Sequence, residues 1–570
     1  MPQKPANVIF GLADKPPLGT TVFLGFQHVC LVAISLVFPA LLIYETGGSP
    51  EQAGFMIDMS LLAGGLGAIM QSLPRGPVGC GYFCPQVCGP SFWAASLAAA
   101  KMGGLPLVLG MTAVAGLIES IFSRFMHKLR GLFPPEVIGL IVALVGITVI
   151  RTAMNSLTAS DPQAEAFAHH GLLIGLFTLG VMIALNIWTK GNLRLFCSLI
   201  GMAAGYGLSI ASGLVHQEHM LHVGQQPWID LPVLDHPGLA FDCSLILPLV
   251  VATLCSTLKT VGDITTCQKI NDEQWKRPDM TNIKKGILAD GLTCLTAGVV
   301  GGFGQSTSSS NIGLSIATGA TSRVIGVAVG AIMIVMSLCP KLAAVFTVMP
   351  RPVMGGTLLF AMSFMVVAGV QIITSRMLDS RKTFVVGLSL IIGLSVDITP
   401  QVYEGLPEAI RPIFGSSLSA GAICAVFLNL VFRLGLRKSA QTALPATAQA
   451  QGEAVAFLKR QGAAWGARAE VINRAAAGLS ELVELLTLHG MVRQGGIDVQ
   501  ASFDELSVSL KLSYAGQAVE LPPAPPEAST ILEDQLAQRR LGGFLIGKYA
   551  DQVEVARRGE INEVRLRWEH

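Results

Sequence analysis

The sequence predicts an all-α polytopic membrane protein of fourteen transmembrane segments that ends in a small cytoplasmic α/β domain, and three observations carry that prediction. The 570 residues are 51% hydrophobic, with a mean hydropathy of +0.57. Only 13% are charged, against roughly 25% in soluble proteins. Apolar runs of spanning length, about 17–25 residues, follow one another from Thr21 to beyond Ser416, after which the composition turns charged and mixed. A net charge of +2, distributed between the apolar runs rather than in a patch, gives no reason to expect a nucleic-acid partner. No cofactor or metal site is expected.

Residues 1–18 are polar and Pro-rich and read as a cytoplasmic N-terminal segment. The first apolar run, Thr21 to Tyr44, exceeds the roughly 7–15 residues of a signal-peptide core and reads as a retained spanning helix. The fourteen segments begin near Thr21, Ala53, Pro77, Leu105, Pro135, Gly171, Leu193, Leu245, Lys285, Ser309, Val324, Val353, Thr383 and Ser416. With the N-terminus inside, the inner loops collect Arg124, Lys128, Arg130, Lys190, Arg194, Lys269, Lys276, Arg277, Lys284, Lys285, Arg376, Arg381, Lys382, Arg433, Arg437 and Lys438. The long outer loops Thr152 to His170 and Leu214 to Cys243 hold no Lys or Arg, as the positive-inside rule requires. Lys101, Arg151, Lys341, Arg351 and Arg411 are outer exceptions. The 11 cysteines fall mostly in apolar segments, which argues against disulfides; Cys80, Cys84 and Cys88 read as packing residues on one helical face. His216, His219 and His222 read as incidental loop histidines.

Two segments are broken. The third, Gly76 to Pro90, carries Gly79, Gly81, Pro85 and Gly89, which no continuous helix tolerates. The tenth opens on Gly301 to Arg323, with a polar run from Gln305 to Asn311. Broken backbone at membrane depth persists only where protein buries it or it lines a wet cavity. Segments three and ten are seven apart, an odd number, so the second half of the chain would be inverted relative to the first and both breaks would meet near the midplane.

The residues around the second break, Ser310-Asn311-Ile312-Gly313 followed by Thr318-Gly319, with Gln27-His28, Gly262-Asp263, Ala289-Asp290-Gly291 and Pro352 to Gly356, resemble the landmarks of the nucleobase-ascorbate transporters, the xanthine/uracil permease family. The resemblance covers Gly19 to Lys438. It implies a 7+7 inverted repeat with a core domain moving against a gate domain, a small-molecule substrate, a coupling ion that is H+ rather than Na+, and a homodimer in the inner membrane with both termini cytoplasmic. The chain departs from the family at two positions: Lys259 stands where a base-binding Glu is usual, and Ser310 where the signature has Gln or Glu. An acceptor-rich pocket thereby gains an ammonium donor and a hydroxyl.

The candidate substrate-binding residues are Lys259, Asp263, Ser309, Ser310, Asn311, Tyr82, Phe83 and Gln27, and the candidate coupling residues are His28, Asp263 and Asp290. Lys259 and Asp263, four apart, can also pair with each other on one helical face. An intramembrane charge costs about 2.5–3.5 kcal/mol on insertion scales and so has a partner or a task. Half-helix N-termini at both breaks favour negative charge. The expected function is secondary-active transport of an oxygen-rich purine by elevator-type alternating access. A small organic or inorganic anion, or a solute-sensing receptor, are the other readings, and none is an enzyme.

Residues 439–453 read as a linker and 454–570 as a cytoplasmic α/β regulatory domain. Val455 to Leu488 has helical periodicity, Ile497 to Gly516 alternates as two strands joined at Asp504-Glu505, and Ile561 to Trp568 reads as a last strand. This order looks like a degenerate histidine-kinase-type ATPase fold. Glu481 and His489 stand at two positions of that family's Glu-x3-Asn-x3-His box and Gly542-Gly543-Phe544-Leu545-Ile546 at a Gly-rich box, but Leu485 replaces the Mg2+-binding Asn.

Overall fold

The computed structural model describes residues 4–6, 8–129, 133–158, 168–189, 192–214, 223–230, 236–275, 278–374, 378–407, 414–433, 438–447, 449–504, 507–526 and 534–569. They form two units, Met1–Leu430 and Val431–His570. His216, His219, His222 and Arg411 lie outside the described residues.

In the first unit, α1 (Leu18–Ala33) and α2 (Val37–Glu45) make one apolar column joined by a 3-10 turn. The next helix, α3 (Pro50–Ser72), opens on a capping box: the Ser49 hydroxyl accepts from Gln52 N, and the Gln52 amide oxygen accepts from Ser49 N. From Leu73 to Gly89 there is no helix, only β1 (Gln86–Cys88). Cys80, Cys84 and Cys88 therefore do not share a helical face, because the glycines of this stretch prevent one. Next, α4 (Trp93–Leu129) leaves helical geometry at Gly103 and Gly104, so a half-helix precedes the longer helix that starts at Leu105. Then come α5 (Pro135–Thr158), α6 (Ala168–Trp188), α7 (Cys197–Ala211), α8 (Ile246–Ile270) and α9 (Met280–Val300). After the second break, which holds β2 (Gln305–Thr307), follow α10 (Ser309–Thr318), α11 (Arg323–Met336), α12 (Pro340–Thr347), α13 (Arg351–Ile373), α14 (Ser380–Ile398) and α15 (Ser417–Arg433).

Among the described residues seven helices are long and apolar enough to cross a membrane, or eight if α11 and α12, bent by 83°, count as one span. That is fewer than the fourteen segments expected, for physical reasons. The half-helix α10 and the helices α7 and α15 are short, and α9 and α14 carry charges within their length, Lys284, Lys285 and Asp290 in one and Arg381, Lys382 and Asp397 in the other. Three helix pairs meet at facing glycines: Gly65 with Gly330 (α3 and α11), Gly116 with Gly291 (α4 and α9), and Gly139 with Gly369 (α5 and α13). At each of these six positions an added Cβ would approach backbone of the partner helix to between 2.2 and 2.9 Å. Small residues let backbones close where lipid supplies no hydrophobic drive between helices.

The N-terminal segment is strapped to the end of the second break. Ile9 N and Phe10 N donate to Gly319 O at 2.8 and 3.0 Å, Thr321 N returns to Phe10 O at 2.8 Å, and the Ser322 hydroxyl donates to Asp14 O at 2.6 Å. A Lys4–Asp14 ion pair of 2.6 Å closes the strap.

The second unit is a five-stranded antiparallel sheet in the order β3-β4-β5-β7-β6, with three helices. The strands are β3 (Lys438–Leu444), β4 (Val492–Phe503), β5 (Ser507–Gly516), β6 (Gln552–Arg558) and β7 (Ile561–Glu569); the helices are α16 (Ala450–Trp465), α17 (Ala469–Leu488) and α18 (Gln535–Tyr549). The stretch 439–453 is therefore not a linker: it holds an edge strand paired to β4 from Lys438↔Phe503 to Leu444↔Ile497, and the start of α16. Val455 to Leu488 is two helices, separated where Gly466 takes a left-handed φ of 71° and caps the first. Trp568 is fully buried behind α17, and its indole N–H donates to Tyr549 O at 2.8 Å. Gly542 and Gly543 lie inside α18 and serve close packing: a Cβ on Gly543 would sit 1.9 Å from Glu520 O.

Candidate functional site

The two breaks meet as an antiparallel ladder, with Gln86 opposite Thr307, Val87 opposite Ser306 and Cys88 opposite Gln305. Gly89 N donates to Gly304 O at 2.8 Å, and Ser308 N to Pro85 O at 2.9 Å, extending the ladder at both ends. Backbone that would otherwise be unsatisfied at membrane depth is thus paired with its counterpart from the other half of the chain.

Behind the ladder runs α8, and it supplies Lys259 and Asp263. Lys259 Nζ donates to Asp263 Oδ2 at 3.2 Å and to the Thr307 carbonyl of β2. Asp263 also accepts from the Thr307 hydroxyl at 2.6 Å and from the Ser309 hydroxyl at 2.6 Å. Three of the roughly four lone-pair sites of that carboxylate are therefore taken by this chain, whereas Lys259 has two of its three donors engaged. Both side chains are nearly buried, which makes their mutual pairing necessary.

A second cluster lies across the break. The Ser308 hydroxyl caps α10 by accepting from Asn311 N at 3.4 Å, and Asn311 Nδ2 donates to the same hydroxyl at 2.9 Å. Asn311 Oδ1 in turn faces His28 Nδ1 at 2.8 Å. The Phe83 ring meets the His28 imidazole edge-on, centroids 4.6 Å apart. Ser310 and Gly313, on one face of α10, are exposed; the Ser310 hydroxyl lies 3.3 Å from that of Ser308, and nothing lies within 4 Å of a Cβ built on Gly313.

The structure thus brings Lys259, Asp263 and Ser309 into one hydrogen-bonded group and His28, Asn311 and Phe83 into another. Tyr82 is buried with Ile264, Cys267 and Ile312. Gln27 is buried with neither amide atom partnered. Asp290 lies one layer deeper, accepting from the Thr260 hydroxyl at 2.5 Å. The sequence reading missed Thr307, Thr260 and Glu119. Thr307 stands in the polar run and could have been chosen with it; Glu119 is the lone acid in the apolar run Leu105 to Phe122, a signal in itself. In the second unit, Glu481 lies on α17, and the His489 carbonyl just beyond that helix accepts from Arg539 at 3.0 Å. Among the described residues no group of three or more His, Cys, Asp or Glu could hold a metal ion.

Two unwound segments crossing at the centre of a glycine-packed helical bundle, with a paired charge and a hydroxyl-lined face behind them, define a membrane transporter rather than an enzyme. The family follows from comparison: a model described as a permease family, Xan_ur_permease, matches residues 19–402. The chain is 32% identical over 441 residues to the xanthine permease XanP of Escherichia coli K12, covering 75% of this chain and 95% of that one. It is 30% identical to a putative purine permease of Clostridium perfringens (75% and 93% covered) and 27% identical to the uric acid permease PucJ of Bacillus subtilis (74% and 95%). The protein belongs to the xanthine/uracil permease family, the nucleobase-ascorbate transporters.

Proposed function

We propose that the protein is a secondary-active, proton-coupled carrier of an oxygen-rich purine such as xanthine or urate. The observation that carries this reading is the unequal state of the two charged groups at the break. Asp263 is almost saturated by Lys259, Thr307 and Ser309, while Lys259 keeps a free donor and Ser310 is exposed, its hydroxyl 3.3 Å from that of Ser308. The free valence of the site is donor, which suits purine carbonyl oxygens or a urate anion better than a ring rich in N–H groups. The N-terminus of α10 adds a favourable field for negative charge. Tyr82, Phe83 and Gln27 would line the ring side, and His28 or Asp263 would respond to the coupling proton. The relatives named for xanthine and uric acid support the same class.

The mechanism is elevator-like alternating access in a fourteen-segment 7+7 inverted repeat. The pairing of segment three with ten through the ladder, and of α5 with α13, seven segments on, supports that arrangement. The protein works in the inner membrane as a homodimer with both termini cytoplasmic, and the unit beyond Val431 regulates it.

Uptake into proteoliposomes of labelled xanthine, urate and uracil, beside a panel of small anions, tests the reading. Xanthine or urate uptake that competes with neither uracil nor simple anions is the expected result. Lys259 in place of the family's Glu favours a second reading, a non-purine anion; native protein that carries only anions, with purine uptake appearing in Lys259→Glu, would establish it instead.

A further inference from the structure

The carboxyl group of Glu119 belongs to none of the functional groups described so far, yet it is fully buried. It projects from α4 one turn beyond Gly116, and Asp290 precedes Gly291 on α9, so the glycine-to-glycine approach of these helices carries the two acids to the same level. A Cβ built on Gly291 would lie 2.9 Å from Gly116 O, so the two carboxyl-bearing turns are in direct backbone contact. Each carboxyl group is held on one oxygen only: Thr257 donates to Glu119 Oε1 at 3.1 Å, and Thr260, on the same face of α8, donates to Asp290 Oδ2 at 2.5 Å. The other two oxygens, Glu119 Oε2 and Asp290 Oδ1, are buried and have no donor. Two carboxylate oxygens are both acceptors, and buried acceptors facing one another need a proton between them.

The other hydroxyl beside the pair on α8, that of Ser256, is directed to Ser306 at 3.1 Å. The charged and titratable groups facing the pair are Lys259 from α8 and Cys294 from α9, and Lys259 directs two of its three donors to Asp263 and Thr307. From β1 comes only the neutral amide of Gln86. One cation would otherwise stand against three ionised carboxylates in a buried space, an arrangement that low dielectric penalises heavily.

We propose that Glu119 and Asp290 share a proton, and that this pair is a store for the coupling proton, joined to the substrate site by the hydroxyls of Thr260 and Thr307. Thr260 Oγ1 lies 3.2 Å from Thr307 Oγ1, with Thr307 donating to Asp263 at 2.6 Å and Thr260 to Asp290, so the two hydroxyl protons point outward from that contact and the line from Asp263 to Asp290 conducts once Thr307 turns its proton toward Thr260. Along it a coupling proton taken up by Asp263 passes to Thr307 Oγ1, the Thr307 proton to Thr260 Oγ1 and the Thr260 proton to the pair, so one proton leaves Asp263, one arrives on the pair, and each hydroxyl keeps one. The coupling role rests on the function proposed above; the shared proton does not.

Two measurements on the full-length purified protein test it. The infrared carboxylic-acid C=O stretch is read in native protein, Glu119→Gln and Asp290→Asn; the expected result is a band present in native protein and removed or shifted by each substitution. A band unchanged by Glu119→Gln overturns the pairing. In proteoliposomes, Glu119→Gln is expected to retain exchange of labelled xanthine or urate across the bilayer while its accumulation under an imposed inward proton gradient falls to the equilibrium level. Gradient-driven accumulation equal to native overturns the coupling role. If Glu119→Gln does not fold, Glu119→Asp, which keeps a carboxyl, is expected to retain both the band and the gradient-driven accumulation, and loss of both in a folded Glu119→Asp with native exchange overturns the proposal. Native protein that moves no purine overturns the function above and leaves the infrared result to decide this one.

Discussion

The first break, Gly76 to Pro90, and the second, Gly301 to Arg323, cross as equals in the ladder but contribute different things. The first is built by backbone: Gly76, Gly79 and Gly81 hold φ of 119°, 94° and 73°, and a Cβ on Gly79 would lie 2.1 Å from Met70 O. The side chains it turns inward are rings and an unpartnered amide, Tyr82, Phe83 and Gln86. The second break is built by hydroxyls and amides, with Thr307, Ser309 and Asn311 making polar contacts to Lys259, Asp263 and His28 and Ser308 holding Asn311 in place. The two breaks have thus divided the labour, one side holding shape and the other holding chemistry.

That division can be broken from either side. The largest effect is expected for Asp263→Ala, which leaves the Lys259 ammonium buried without its carboxylate at a cost of about 3–5 kcal/mol; both vesicle uptake and thermal stability should collapse, and near-native uptake would show that the pair is dispensable. Next, Gly79→Ala on the first break should lower folded yield and melting temperature, by on the order of 3 kcal/mol from strain and overlap, while protein that does fold keeps its solute affinity. Thr307→Val removes a hydroxyl bonded to a charged group, worth about 1.5–3 kcal/mol; uptake should fall by roughly one to two orders of magnitude, with a drop in melting temperature no larger than that of Gly79→Ala. The smallest effect belongs to Phe83→Leu, which deletes an aromatic contact of about 0.5–1.5 kcal/mol and should raise KM severalfold. An order in which Phe83→Leu outweighs Thr307→Val in transport would reverse the assignment of chemistry to the second break.

Much of this was legible in the sequence because it rests on local chemistry. The glycines and prolines of the first break and the polar run of the second announce non-helical backbone within apolar surroundings, and Lys259 and Asp263 announce a pair by their spacing. What could not be read is long-range register: no local signal says that Gln86 faces Thr307, and without that pairing Thr307 is one hydroxyl among several. The family slot Ser310 drew attention, yet its neighbour Ser309 makes the contact to Asp263, because a helix turns about 100° per residue and only one of two adjacent side chains can face α8. Segments 439–444 were missed as a strand for a related reason. Ala, Gln and Ser have weak strand preference, and this edge exists because β4 supplies the partner. The end of the first tail helix, by contrast, was announced by Gly466 and passed over within a longer periodic run.

The N-terminal strap carries a consequence in time rather than in space. Phe10 and Thr321, which it joins, are 311 positions apart, so at synthesis rates of roughly 5–20 residues per second the first residues wait about 15–60 s for their partner to be made. The strap therefore cannot guide the early helices into place. It closes only on a chain whose tenth segment has already been inserted, and a protease that cuts before Leu18 in stalled chains but spares the finished protein would read it as a mark of completed assembly.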